Sequence, residues 1–274
     1  MKPTPTIQSH LQNLFQSIRQ AVTTGNPEEW GQPGRNAKGD SVKWFDLAAD
    51  QAACTYLAKR FPYPVRLLSE EGPPREFGRG ETEFTMILDP VDGSDNFARR
   101  ISPSGTAIAL IPAGLPVSIG TVQFGLVGNL FSGRSWLAER GKGSFFDGQP
   151  LKAPANLRLE DMLLSFDTNR VTIDPGLAYL AGQAHGVRSF SAAAVVLAMV
   201  ADGTVGAHLD LTGNLTPENF LASSLIISEA GGLVTDCQGQ PLPDIGSLTE
   251  GYRLVAATTP ELHTILVKKL SVKG

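Results

Sequence analysis

Residues 85 to 97, TMILDPVDGSDNF, restrict the fold of this chain more than any other stretch. Five residues with strand character run into a turn carrying Asp89, Asp92 and Asp95. Like charges this close repel, and a desolvated carboxylate costs several kcal/mol unless something positive compensates it. No Lys or Arg lies inside the stretch. The end of a buried strand is therefore committed to chemistry, or to turn capping, rather than to a core.

Around this point the chain alternates helical and extended patterns. Ile7, Leu11, Leu14, Phe15, Ile18 and Val22 recur at spacings of three and four, which predicts an amphipathic opening helix. Residues 25 to 41, GNPEEWGQPGRNAKGDS, read as a polar and mobile connection. A second helix is expected over 45–59, with Asp46 in its first turn. Strands follow at 67–69, 84–88, 106–111, 119–124 and 135–139, and Asp147-Gly148 between apolar flanks signals a tight hairpin. The second half continues with a strand at 163–166, a helix at 191–201 and a strand at 205–209. LTPENFLASSLIISEAGG is a punctuated helix, with Thr216 at the N-cap, Pro217 at the first helical position and Gly231 at the C-terminal cap. GLVTD and RLVAAT are two more strands, and PELHTILVKKL is a closing helix with lysines at its end. Without a repeat or a low-complexity linker, residues 1–274 read as one mixed α and β unit.

Composition narrows the function. The net charge is −4, and no Lys/Arg cluster with interleaved aromatics is present, so nucleic acid is not an expected partner. No run approaches membrane-spanning length and the N-terminus lacks a signal-peptide core, so the expected location is cytoplasmic. Cys54 and Cys237 read as buried reduced thiols. His10, His185, His208 and His263 are scattered, without the spacing of a zinc site.

The acidic turn matches one kind of ion. Carboxylates among oxygen-only surroundings hold Mg²⁺, which requires octahedral oxygen geometry. Asp89 and Asp92 stand three apart across a Pro-Val corner, so both carboxylates and the Val91 carbonyl can face one point, and Gly93 permits the turn that follows. LLSEEG places Glu70 and Glu71 at the end of another strand, a second acidic edge. Taken alone, Asp-x-x-Asp-Gly fits turn and helix capping better than it fits a metal.

LDPVDGSDNF resembles the Asp-Pro-Ile-Asp-Gly-Thr signature of the inositol monophosphatase superfamily of magnesium-dependent phosphatases. LLSEEG resembles that family's Gly-Glu-Glu segment, KWFDLAADQAACTYLAKRFP its early helix, and NFLASSLIISEAGGLVTD its late segment. The four blocks span residues 43 to 236 in the family's order, and AHLDLTGNL is similar to archaeal-type members. The resemblance implies a layered αβαβα sandwich. Residues 1–150 would form its metal-binding half and residues 151–274 its substrate-binding half. It also implies two or three Mg²⁺ ions, held by Glu70, Asp89, the Val91 carbonyl, Asp92 and Asn219. Asp46, Glu70 and Ser94 take the catalytic roles, Asp46 and Ser94 orienting the attacking water. Substrate would meet Asp92, Gly93, Ser94, Ser191 and Asp210. The implied activity is hydrolysis of a small polyol or sugar phosphate, with inositol 1-phosphate leading, and fructose 1,6-bisphosphate and 3′-phosphoadenosine phosphate as alternatives. The implied assembly is a homodimer.

Three positions depart from the family pattern. Asn219 stands where the family has an aspartate, so that ligand brings no negative charge, and a catalytically impaired member that binds sugar phosphates or a partner protein is the competing reading. Asp210 and Glu218 are the nearby candidates to compensate. Phe190 replaces the usual Gly before the Ser-Ala turn, where packing is its expected role, and Arg188 is placed to meet either a substrate anion or a surface partner. Ser94 replaces Thr and keeps the hydroxyl.

Overall fold

The computed structural model describes residues 6–26, 28, 34, 42–154, 158–169 and 172–270, so most of the 25–41 connection and the last four residues lie outside it. The first half comprises α1 (Ile7–Thr24), α2 (Trp44–Arg60), β1 (Val65–Ser69), β2 (Gly72–Phe77), β3 (Phe84–Asp92), α3 (Ser94–Arg99) and β4 (Gly105–Pro112). It is completed by β5 (Phe124–Asn129), β6 (Ser135–Glu139), β7 (Gly143–Phe146) and β8 (Gln149–Leu151). The second half holds β9 (Leu163–Asp167), α4 (Pro175–Gln183), β10 (Gly186–Arg188), α5 (Ala193–Ala201), β11 (Ala207–Leu215) and α6 (Pro217–Ala230). It closes with β12 (Leu233–Thr235), β13 (Tyr252–Ala257) and α7 (Pro260–Leu270).

Two sheets result. The larger runs β2-β1-β3-β4-β5-β6-β7-β8 and the smaller β10-β9-β11-β13-β12. Among the described residues, only β1 with β3, and β9 with β10 and β11, pair in parallel. Three apolar cores separate five layers. Leu11, Leu14, Phe15 and Ile18 of α1 join Ala49, Ala53 and Leu57 of α2 over one face of the large sheet. The apolar faces of α5 and α6 fill the space between the sheets, with Val195, Leu197, Phe220, Leu225 and Ile226 buried there. Leu177, Leu180, Leu262 and Leu266 of α4 and α7 cover the far face of the small sheet. Each Leu, Ile, Val or Phe among them contributes roughly 1.5–3 kcal/mol by leaving water. Helix α5 is apolar all round because it lies between two sheets. The expected αβαβα sandwich is the observed architecture.

The differences from expectation are local. Residues 119–124 are not a strand: Ile119–Thr121 form a 3₁₀ turn stapled by Ser118 and Thr121, and β5 begins at Phe124. The apolar run there satisfied the strand pattern, but the side-chain hydroxyls bond locally and tighten the chain instead. Strand β2, GPPREF, has two prolines, which an edge strand tolerates. Helix α4 is signalled by Asp174, whose carboxylate accepts from Gly176 N and Leu177 N, followed by Pro175. Asp147 and Gly148, both at positive φ, turn β7 into β8 as the dipeptide predicts. Cys54 and Cys237 are free and half-buried rather than fully enclosed.

Candidate active site

Strand β3 carries the acidic turn out of the sheet through a bulge. Asp89 is paired opposite Ala107 and Asp92 opposite Gly105, so β3 uses one residue more than β4 between them. Thr106 Oγ1 donates to the Pro90 carbonyl at 2.8 Å and Ser104 Oγ to the Asp92 carbonyl at 2.7 Å. Asp89 Oδ1 accepts from Val91 N at 3.0 Å, which fixes the Asp89 carboxylate to the bulge. Asp89 and Asp92 are 2% and 4% exposed. Glu70 follows directly after Ser69, which is paired with Leu88, and its charge acts on Asp92.

Asp92 also joins the two halves. Helix α5 has no side-chain cap of its own, and the Asp92 carboxylate supplies one, Oδ2 accepting from Val195 N at 3.1 Å. Burial nevertheless pushes its carboxyl up to about 7, with Asp167 and Glu70 adding to the rise. Gly93 takes left-handed angles (φ 72°, ψ 46°), and a Cβ there would stand 2.8 Å from the Ala192 Cβ. The left-handed turn and the close approach of Ser191-Ala192 both require glycine. Asn96 ties the same corner by donating to the Pro103 and Phe190 carbonyls. Ser191 lies exposed against Gly93, its hydroxyl accepting from Asn169 Nδ2. Phe190 packs against the central core, as expected. Arg188 is exposed and donates to its neighbour's carbonyl, Val187 O, at 2.8 Å.

Asp46 reaches the site from the third position of α2, where its Oδ2 accepts from Lys43 N at 2.7 Å. Its Oδ1 is buried without a hydrogen-bond partner among the described residues. Burial pushes its carboxyl up to about 6 against the pull of that amide and of the Lys43 charge. The Lys43 ammonium donates to Ser94 Oγ at 3.0 Å and pairs with Asp95 at 3.1 Å. Sequence reasoning sought a cation only inside the acidic stretch. The fold brings one from the N-terminus of α2, and its position directly before the Trp-Phe-Asp start of that helix was the available signal. Asp95 is a first-turn residue of α3, as expected.

Asn219 Nδ2 donates to Asp89 Oδ2 at 2.6 Å. Thr216 occupies the N-cap position of α6, but its hydroxyl turns to Glu218 Oε1 and Asn219 Oδ1 rather than to a helix amide. Asp210 is not part of that group. It is buried opposite Asp167 on β9, accepts from Thr212 N and Oγ1, and shares a cluster within 4.8 Å with Asp167 and His208. Residues 208 and 210 alternate on β11 and residue 167 joins them only through the parallel pairing, so sequence spacing did not reveal this grouping.

Glu70, Asp46, Asp89 and Asp92 thus share one region around the end of β3, with the electrostatic coupling of Glu70 to both Asp46 and Asp92. The donor set is all oxygen, and one of its carboxylate oxygens is buried without a partner, which fits a hard divalent cation.

The sequence matches the inositol monophosphatase family over residues 6–273. It is 30% identical over 244 residues to a fructose-1,6-bisphosphatase/inositol-1-monophosphatase of Methanothermobacter thermautotrophicus, covering 86% of this chain and 85% of that protein. It is 30% identical over 269 residues to inositol monophosphatase 2 of Rattus norvegicus, covering 93% and 85%. Among solved structures it superposes on the MJ0109 gene product, an inositol monophosphatase–fructose 1,6 bisphosphatase. The TM-score there is 0.81 at 23% identity, over 97% and 100% of the two chains. The chain belongs to the inositol monophosphatase family. It is a phosphoric monoester hydrolase.

Proposed function

We propose that this protein is a magnesium-dependent phosphomonoesterase acting on a small polyol or sugar phosphate, with inositol 1-phosphate as the leading substrate. The observation that carries the reading is the set of buried carboxylates around the β3 bulge: Asp89 and Asp92 lie on either side of it, and the Glu70 charge acts on both Asp46 and Asp92. These residues, with Asn219, are the ones that would hold Mg²⁺. When bound, the ion supplies positive charge to the transferring oxygens and lowers the pKa of water. Asp46 then accepts the proton of the attacking water; its Oδ1 is buried without a hydrogen-bond partner among the described residues. Ser94, its hydroxyl oxygen fixed by Lys43, orients that water. Gly93, Ser191 and Asp210 are the residues this reading assigns to the polyol. The names of the similar proteins support inositol phosphate and fructose 1,6-bisphosphate as substrates to try first. A homodimer in the cytoplasm completes the reading; sedimentation of the purified protein checks the assembly.

A second reading, an impaired member that binds sugar phosphates or a partner protein without turnover, is favoured by the neutral Asn219 and its bond to Asp89. One experiment separates them. Phosphate release is measured from inositol 1-phosphate, fructose 1,6-bisphosphate and 3′-phosphoadenosine phosphate while Mg²⁺ is titrated. The first reading expects magnesium-dependent turnover that Asp92→Asn abolishes. Turnover near wild type in that variant removes the assignment of Asp92, and no turnover on any substrate favours the second reading.

A further inference from the structure

The histidines are scattered in the sequence, yet the small sheet sets one of them beside two buried aspartates. Ser165 is paired with His208, and Asp167 with Asp210, across the parallel β9–β11 ladder. Their neighbours Leu164, Phe166, Ala207 and Leu209 lie in the core under α4 and α7. Side chains alternate along a strand, so Ser165, Asp167, His208 and Asp210 face the layer of α5 and α6 instead. One ring nitrogen of His208 and one oxygen of each aspartate lie within 4.8 Å of one another.

Each of the three is oriented by a neighbour. Ser189 Oγ donates to Asp167 Oδ1 at 3.2 Å, and Thr212 N and Oγ1 donate to Asp210 Oδ1 at 2.8 and 2.6 Å. His208 Nδ1 meets Ser165 Oγ at 3.2 Å. His208 is 1% exposed, and its Nε2 is buried without a hydrogen-bond partner among the described residues. A neutral imidazole whose Nδ1–H donates to the serine presents a bare lone pair at Nε2, the form that binds a metal ion. In the other tautomer Nε2 carries a buried proton with no acceptor.

We propose that Asp167, His208 and Asp210 form a metal site distinct from the β3 turn. It takes a transition-metal dication of the Zn²⁺ class through His208 Nε2 and one oxygen from each aspartate. Imidazole nitrogen suits such ions, whereas Mg²⁺ takes oxygen ligands. Three protein ligands are the number found in zinc sites that keep a fourth position open. Ligand atoms around a tetrahedral zinc stand about 3.4 Å apart, so the trio reaches an ion by side-chain adjustments of about an ångström. The ion clamps β9 to β11 at the last pair of their ladder, just before β11 shifts register against β13. Asp210 is the one residue shared with the function proposed above, which assigns it to the polyol; otherwise the two readings are independent.

The probe is Zn²⁺, with the protein held in saturating Mg²⁺ throughout. Ions bound after equilibrium dialysis are counted by elemental analysis in wild type, His208→Gln and Ser165→Ala. The His208 ring nitrogens, assigned by their displacement in Ser165→Ala and their loss in His208→Gln, are followed by ¹⁵N NMR. Wild type is expected to retain one more Zn²⁺ than His208→Gln. Asp167→Asn, equal in size, is expected to lose the same ion and keeps the count decisive where His208→Gln does not fold. Ser165→Ala keeps all three ligands and loses only the hydroxyl at Nδ1, and is expected to bind that ion roughly tenfold more weakly. The Nε2 signal is expected to move with Zn²⁺. Equal Zn²⁺ counts in wild type and the ligand variants overturn the site, as do ring signals that stay fixed while Zn²⁺ binds elsewhere. Ring signals that move with myo-inositol and inorganic phosphate but not with Zn²⁺ give the trio to the polyol and overturn the ion. Magnesium-dependent turnover is read separately on wild type, so its absence removes the function proposed above and leaves this site standing.

Discussion

Lys43 is the residue whose role was least visible in the sequence and is most direct in the structure. Its amide fixes Asp46 and its ammonium fixes the Ser94 hydroxyl, so one residue positions both groups assigned to the attacking water. Lys43→Met keeps the backbone amide and removes the charge. It is expected to lower kcat on the order of tenfold or more, the scale of one preorganised donor, with Asp46 still in place. Steady-state kinetics at saturating Mg²⁺ measures this, and an unchanged kcat would show that the ammonium only serves Asp95. Asp92 makes a different prediction, for the metal-free protein. Its carboxyl is raised from 3.8 to about 7 by burial, so the folded state holds the proton more tightly than the unfolded chain. The unfolded state therefore binds fewer protons across that window, and this group's contribution to stability falls as pH rises from about 4 to 7. The stability of wild type relative to Asp92→Asn, measured by urea unfolding in chelator, is expected to decline over the same range. A flat difference would mean that Asp92 does not titrate as its surroundings require.

At the scale of elements, the site is made by strand and helix ends that serve each other. The β3 bulge lies between Asp89 and Asp92, and the Asp92 carboxylate caps α5, a helix with no capping side chain of its own. Gly93 is where the two meet. Gly93→Ala places a Cβ in the left-handed region and against Ala192. It is expected to destabilise the fold by roughly 2 kcal/mol or more and to reduce activity in the same variant. Chemical denaturation together with a turnover assay checks both; wild-type stability would mean the corner can relax. The elements themselves were largely legible. The amphipathic spacing of α1, the Pro217 and Gly231 punctuation of α6 and the Asp147-Gly148 hairpin are local signals, and each element formed where its signal lay. Residues 119–124 show the limit. An apolar run was compatible with a strand, but the bonds between Ser118 and Thr121 settled it as a 3₁₀ turn.

For the whole molecule, the metal-dependent reading proposed above has the consequence that ions and folding are coupled. The large sheet supplies Asp89 and Asp92, and α6, lying between the sheets, supplies Asn219. A cation shared among them ties the layers together, and a ligand bound only by the folded state raises stability by about 2.7 kcal/mol at a hundredfold excess over its Kd. The thermal midpoint is expected to rise by several degrees between chelator and saturating Mg²⁺. No shift at any Mg²⁺ concentration would argue against a folded-state cation site.

The sequence by itself determined most of the element types, the mixed α and β class, and the position of the acidic motif at the end of a buried strand. Those depend on side-chain periodicity, turn chemistry and charge, which act between residues close in the chain. Only the tertiary structure decided which groups answer which. Lys43 meets Ser94, Asp92 caps Val195, Asn219 meets Asp89, and Asp167 joins His208 and Asp210. Each of these contacts joins residues more than forty positions apart. A hydrogen bond acts over about 3 Å, so its partners are set by how sheets and helices stack and not by their order along the chain.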